Sequence, residues 1–402
     1  MFRLIKHRKE IPLQFITFCI VSFLWLTGDT IIEFIFPTFL QNIGLSFFMI
    51  GLLLSLPSLV GMIVDIPVGD LSDRVSKKKL MVIGLLGSII TVVLIFFTDK
   101  VLVIGISLAI WGGFYQIWRV ARDAYLVSIT KPGHRSTMFG IDSAFLSAAL
   151  TIGPLIGGIT LAYFGLISNI VLYIIFLGIA ILMILFMLKS KNKHKLGIEI
   201  SNVIKKDKVF LKSIKDLRTF GFQGFILIFL SFVYAVTESF IITMEPLFYG
   251  SSGLNLSPAL GGLIFAMFFM PGIIFSQPAG LLGDKFGKKL IVIIGMIISG
   301  ISLIFFSITS SVLIIIIFAF LTAIGTTLMY PNVKGLMGDM LYKHKKGDYV
   351  GTLSFFTDAG YVIGPFMGGL IAQVFGIRNL FLIAGIIFIL GIIIALKIKV
   401  KK

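Results

Sequence analysis

Acidic side chains interrupt the hydrophobic runs of this chain at few positions, and a carboxylate inside such a run is the first candidate for chemistry. Asp29 and Glu33 lie one turn apart in WLTGDTIIEFIF, and Glu238 holds a similar place in VYAVTESFIITMEPLF, with Glu245 further along. Asp65 and Asp358 interrupt two more runs. An ionisable group in lipid is expensive and needs an aqueous cavity or a partner. Two acids facing one low-dielectric cavity could exchange protons or bind a cation; the alternative is structural pairing or an outer vestibule. Trp25 and Tyr234 come one turn before Asp29 and Glu238. They could wall a cavity for an apolar or cationic molecule, and lipid contact explains them equally. Arg119, Arg122 and Asp123 sit in YQIWRVARDAYLV, and Asp142 begins the following run. That set reads first as an ion pair between consecutive helices.

Catalytic arrangements are missing around these acids. His7, His134, His194 and His344 are far apart in sequence, without a ligand cluster, and the single Cys19 excludes a disulfide framework or a cysteine-rich metal site. No GxxxxGK[ST] phosphate cradle occurs, so ATP-driven work would need another subunit. The reading is no enzyme, no cofactor and no metal.

The elements that must position the acids follow from composition. Of 402 residues 57% are hydrophobic and 13% charged, and Phe alone contributes 40. Soluble domains carry about 25% charged residues. A membrane β-barrel would alternate over about 10 residues instead of running apolar for about 20. The chain therefore reads as an all-α integral membrane protein. Its hydrophobic segments fall near 12 to 38, 47 to 68, 80 to 98, 101 to 124, 137 to 163, 166 to 188, 219 to 247, 258 to 281, 290 to 308, 311 to 332, 350 to 374 and 379 to 397. Each can cross roughly 30 Å of hydrocarbon at about 1.5 Å per residue.

The charges give an orientation. Net charge is +17, from 35 Lys and Arg against 18 Asp and Glu, and only Lys100 and Arg378 of those bases fall in loops of one alternate set. Basic residues stay preferentially in the cytosol, so both termini are expected there, in a multi-pass protein of the plasma membrane. The +17 reads as topology and lipid contact, with no nucleic-acid partner. The basic start MFRLIKHRKE reads as the lead into a retained first helix, since no small-residue cleavage site follows. Segment 189–218 holds ten bases and divides the chain into a six-helix set at 1–188, a cytosolic linker and a second six-helix set at 219–402.

The two sets repeat. Pro67, Gly69, Leu71 and Asp73 precede Pro278, Gly280, Leu282 and Asp284 by 211 residues, and the same offset relates TIGPLIGG to VIGPFMGG. An offset of 209 pairs Asp29 with Glu238 and Pro37 with Pro246. Six helices preserve orientation on repetition, so the halves should be related by an axis along the membrane normal.

With these motifs the chain resembles the major facilitator superfamily over nearly its whole length, and in particular its twelve-helix drug/proton antiporter branch. GDLSDRVSKKK is similar to the superfamily signature between helices 2 and 3, carried by Gly69, Asp73, Arg74 and Lys77 to Lys79, with Ser76 in place of the second glycine. The copy GLLGDKFGKK carries Gly280, Asp284, Lys285 and Gly287. The resemblance implies that Asp73 and Asp284 latch the halves at the cytosolic face against the starts of the eleventh and fifth spans, where orphan N–H groups favour a carboxylate. Gly69 and Gly280 would permit close approach and the basic run would meet headgroups; turn shaping alone is the alternative. Gly153, Pro154, Gly157 and Gly158, with Gly364, Pro365, Gly368 and Gly369, resemble the fifth-helix motif of exporting antiporters, although Ala149 replaces its leading glycine. A packing kink explains them as well. The functional arginine that relatives carry higher in the fourth helix is Leu108 here.

The combined expectation is a secondary transporter, working as a monomer, that exports amphipathic or cationic small molecules in exchange for protons through Asp29, Glu33, Glu238, Asp65 and Asp358. Uptake or uniport of a sugar or organic anion is the alternative within transport. A non-transporting membrane sensor or assembly component is the alternative outside it.

Overall fold

The computed structural model describes residues 13–130, 135–188, 221–250, 253–340 and 346–399. It is all-α, with twelve helical spans apolar and long enough to cross a membrane. The first six are α1 (Leu13–Asn42), α2 (Phe47–Arg74), α3 (Lys77–Phe96), α4 (Val101–Ile129), α5 (Arg135–Phe164) and α6 (Leu166–Met187). After the linker come α7 (Gly221–Tyr249), α8 (Pro258–Met267), α9 (Met270–Phe286), α10 (Lys288–Ile308), α11 (Val312–Met340), α12 (Lys346–Phe375) and α13 (Ile377–Ala395).

α8 and α9 are one span, broken where hydropathy predicts continuity. Pro271 has no N–H to give the carbonyl of Met267, and the chain tightens there into three-residue turns, Phe268 N–H to Phe265 O at 3.1 Å and Phe269 N–H to Ala266 O at 3.1 Å. Elsewhere helices outrun their apolar stretches. α2 continues to Arg74, α4 to Ile129 and α11 to Met340, and α12 begins at Lys346, because backbone hydrogen bonding does not stop where the hydrocarbon does.

The repeat reaches single hydrogen bonds. Ser46 caps α2 by accepting from Met49 N–H at 3.3 Å, and Ser257, 211 residues on, caps α8 from Leu260 N–H at 3.4 Å. Gly165 and Gly376 each turn the chain within one residue between the last two spans of a half, at φ +78° and +86°, where a Cβ would be strained.

Within the first half α1 lies against α5 and α6, and α4 against α2 and α3. The second half repeats this, with α7 against α12 and α13 and α11 against α9 and α10. The halves meet where α2 runs along α12 and α5 along α8, with α1 touching α7. α1 and α7 are accordingly the most buried spans, whereas α3, α6, α10 and α13 turn Ile90, Phe186, Phe305 and Leu390 outward. Such an apolar exterior suits lipid and would aggregate in water. Each half crosses six times, so the ends of α6 and α13 share one face with the beginnings of α1 and α7. We call it the terminal face. The amino terminus and the 189–218 linker, on which the expected domain boundaries depend, lie outside the described residues.

Candidate functional site

The faces differ in how the halves touch. Toward the face away from the termini, bare glycines bring backbones together across the halves. Gly51 of α2 meets Gly369 of α12, and Gly262 of α8 meets Gly158 of α5, so that a Cβ on any of the four would lie 3.0 Å or less from the partner's Cα. These contacts are repeat-equivalent, and Gly51 and Gly262 carry no signal in the motifs that flag their partners. The Gly-Pro sequences thus have two faces. Gly153 and Gly364 press on Thr30 and Ser239 of the first helix in their own half, while Gly158 and Gly369 press on the other half. Gly157 lies beside Ile31 and Gly368 beside Phe240. α5 and α12 run unbroken through Pro154 and Pro365. Toward the terminal face, Gly69 and Gly280 have nothing within 4 Å of a Cβ position among the described residues.

Between the halves lies a cavity of about 450 Å³. Glu33 (α1), Glu238 (α7) and Asp358 (α12) line it, opposite Gln116 and Arg119 of α4, with Phe36, Trp111, Tyr115, Phe269 and Tyr361 as its aromatic wall. Glu238 accepts hydrogen bonds from Tyr234 Oη at 2.7 Å and from Tyr361 Oη of α12. Two phenols thereby hold one carboxylate, and Lys334 of α11 acts on it electrostatically. Asp65 accepts from Gln116 and lies 3.6 Å from Arg119, whose Nε donates to Gln116 Oε1 at 3.0 Å. Both charged side chains are 42% exposed, as expected of a mouth leading to the terminal face.

The site therefore differs from its sequence reading. Asp29 does not line the cavity. It is fully buried behind Glu33, and neither carboxylate oxygen has a hydrogen-bond partner among the described residues. Its helix position turns it toward the interior of its own half, so of the residues one turn apart only Glu33 reaches the shared space. Trp25 and Tyr234 are likewise behind the wall. Trp25 packs on Tyr115 and Trp118 at ring-centroid distances of 5.4 and 5.3 Å, and Tyr234 stacks on Tyr330 at 4.4 Å. Glu245 is buried near the far face, where Tyr249 donates to it.

Of the α4 bases, Arg122 is buried and engaged. It pairs with Asp142 of α5, with Asp123 at 2.6 Å, and donates to Ser22 Oγ at 3.0 Å while lying over the Phe18 ring. That leaves Arg119 for the cavity. Sequence reasoning missed Gln116, Tyr361 and Lys334, which stacks on Tyr330 at 4.3 Å. A helical register could have found Gln116, three residues before Arg119; nothing local marks Tyr361 as a donor to α7.

The latch residues are placed unequally. Asp284 binds Lys288 at 3.2 Å in its own half, Lys288 also holds Asp339 at 2.8 Å, and Lys285 lies over Phe286. Asp284 is 67% exposed. Asp73 and Arg74 end α2, and their side chains lie outside the described residues. The basic run has a local task in place of the expected headgroup contact alone. Lys78 Nζ donates to the carbonyls of Leu185 and Leu188 at 2.7 and 3.1 Å, and its repeat partner Lys289 donates to those of Leu396 and Ile398 at 2.7 and 2.8 Å. Each closes the carboxyl end of the sixth span in its half, where orphan carbonyls and the macrodipole favour a cation.

Two repeated six-helix sets, closed on each other at one face around an aromatic-walled cavity that holds three acids and is reached from the other, define a membrane transporter rather than an enzyme. The sequence profile of the Major Facilitator Superfamily matches residues 18–234 and again 227–402, and the chain belongs to that superfamily of secondary transporters. It is 30% identical over 174 residues to the quinolone resistance protein NorA of Staphylococcus aureus, an alignment covering 43% of this chain and 44% of that protein. It is 31% identical over 134 residues to an uncharacterized MFS-type transporter of Methanocaldococcus jannaschii, covering 33% and 35%. The matched region spans less than half the length of either relative. Among solved structures, the nucleoside transporter NupG aligns with a TM-score of 0.77 at 11% identity, over 96% of this chain and 99% of that one. A peptide transporter POT in complex with sulfate aligns with 0.74 at 13% identity, over 96% and 94%. These likenesses establish the fold alone.

Proposed function

We propose that this protein is a proton-coupled exporter of amphipathic or cationic small molecules, oriented with both termini in the cytosol. The observation that carries the reading is the sharing of one aromatic-walled cavity by Glu33 and Glu238, acids of the first helix of each half. A cation entering between them meets ring faces and two carboxylates. When both acids take protons instead, that attraction is gone, which is the exchange an antiporter requires. Asp29, one turn behind Glu33 and within its electrostatic reach, is a second carboxyl on the same path. The partition of basic loops supports the orientation. The partial likeness to a quinolone resistance protein agrees with export.

The test uses purified protein in sealed vesicles with an imposed pH gradient and a lipophilic cationic dye as probe. Gradient-driven dye accumulation should occur in the parent and fail in Glu33→Gln and Glu238→Gln, while dye binding to the detergent-solubilised variants changes less. Dye flux indifferent to the gradient would refute coupling. Preference for an anionic dye would instead favour organic-anion transport. Labelling of a cysteine introduced in 189–218 from outside intact cells would refute the orientation.

A further inference from the structure

A second, smaller space of about 30 Å³ lies beside the cavity, inside the second half. Glu238, Ile242 and Phe269 line both spaces and so form their shared wall. Behind that wall are Ile241 of α7, Phe268 at the break between α8 and α9, Thr322 and Thr326 of α11, and Phe388 of α13. Thr322 Oγ1 donates to Phe318 O at 2.7 Å and Thr326 Oγ1 to Ala323 O at 3.1 Å, so both hydroxyl protons are spent on their own helix. What remains is a mostly hydrocarbon pocket with one carboxylate at the wall it shares with the cavity, and a space of that kind has little to hold a water.

The repeat explains why the pocket exists. α4 and α11 correspond at an offset of 211, Val101–Ile129 against Val312–Met340, and Thr322 and Thr326 stand where the first half has Trp111 and Tyr115. Two large rings of the first half are thus two small side chains in the second. The bulk returns from another helix, since Phe268 and Phe269 take the places of Pro57 and Ser58. Both phenylalanines sit in the three-residue turns left by Pro271, and such turns inside a span commonly mark a hinge. Phe268 packs on Phe306 of α10 at 5.7 Å between ring centroids, which pins it to the core, whereas Phe269 rests on Phe265 at 5.5 Å and borders the open cavity.

We infer that the small space is a subsite for a short hydrocarbon substituent of the transported cation, entered when Phe269 swings at the break while the cationic centre stays at Glu238. Its present volume is about the share of one water in the liquid, so a longer chain displaces the ring. The substrate class is thereby narrowed to cations that carry a slender apolar arm. The assignment rests on the cationic reading proposed above, but not on proton coupling or on the direction of transport.

Full-length protein in lipid nanodiscs tests it with alkyltrimethylammonium ions from methyl to hexyl, whose binding is measured without a pH gradient. In the parent each added methylene should tighten Kd by about fourfold until the pocket is filled. Thr326→Ile, which fills it, should cut that gain to below about twofold, and Phe269→Ala should extend the gain to tails at which the parent levels off. In a Cys19→Ser background, methyl methanethiosulfonate should modify Thr326→Cys more slowly with the hexyl ion bound than with tetramethylammonium bound. A parental gain per methylene in both variants overturns the subsite, as does equal protection by the two ions. If no member of the series binds, the cationic reading falls and the subsite with it.

Discussion

Alanine at Gly51 or Gly262 should force the far face open. In this conformation a Cβ on Gly51 would lie 2.9 Å from Gly369 Cα, and one on Gly262 would lie 3.0 Å from Gly158 Cα, with the carbonyls of Pro365 and Pro154 closer still. Carbon atoms at rest sit about 3.5–4.0 Å apart, so each methyl asks the two halves to separate by roughly 0.5–1 Å. Backbone occupies the other side and cannot swing away as a side chain would. Overpacking of this kind costs about 1–3 kcal/mol. Because the penalty falls only on the state with that face closed, it shifts the balance of conformations by roughly 5- to 150-fold. Spin labels at Asp99→Cys and Ser310→Cys, in the loops of the far face, would follow the shift, and both variants should lengthen the mean distance. Gly69→Ala and Gly280→Ala, where a Cβ meets nothing within 4 Å among the described residues, are the matched controls and should leave this conformation populated. Folded Gly51→Ala and Gly262→Ala proteins with the parental distribution would refute the argument that bare backbone contact sets the closure.

Asp142→Asn should lower stability in detergent by about 3–5 kcal/mol, since it leaves buried Arg122 with the half-exposed Asp123 as its one acid among the described residues, whereas Arg119→Gln at the exposed mouth should cost less than about 1 kcal/mol; thermal unfolding compares them. Asp29→Asn should leave the melting temperature unchanged or raise it, because neither oxygen of the buried carboxylate has a donor to lose; a marked fall would show a partner in the native state. Lys78→Met and Lys289→Met should each weaken the closure of a sixth-span end by about 1 kcal/mol, read as faster amide exchange near Leu188 or Ile398 respectively. Tyr361→Phe should loosen α12 from α7 at Glu238 while Tyr234 keeps its bond, so pH-coupled flux should change more than folding, measured in the same vesicles.

The sequence by itself determined the spans, their number, the twofold repetition and the set of acids that lipid would not tolerate unaided. Those properties are written in hydropathy and spacing, which act along one helix at a time: about 20 apolar residues cross a bilayer whatever their neighbours are. Even the repeat-equivalent caps at Ser46 and Ser257 are local in this sense. Tertiary structure decided which acids meet. Asp29 and Glu33 are one turn apart, and hydropathy does not distinguish them, but packing of α1 against the interior of its own half buries Asp29 and turns Glu33 to the cavity. The same holds for Arg122 and Arg119, one drawn into an ion pair with α5 and the other left at the mouth. The glycine contacts across the halves were legible on one side only, because Gly158 and Gly369 belong to a motif while Gly51 and Gly262 acquire their role solely from what lies opposite. The break before Pro271 was not legible in the same way, because hydropathy ran straight through it and other prolines, Pro154 and Pro365 among them, lie inside unbroken helices. Apolar periodicity records that a helix has a lipid side; it does not record which polar side chain a helix from elsewhere in the chain will bring within hydrogen-bond distance, and the cavity is made of such encounters.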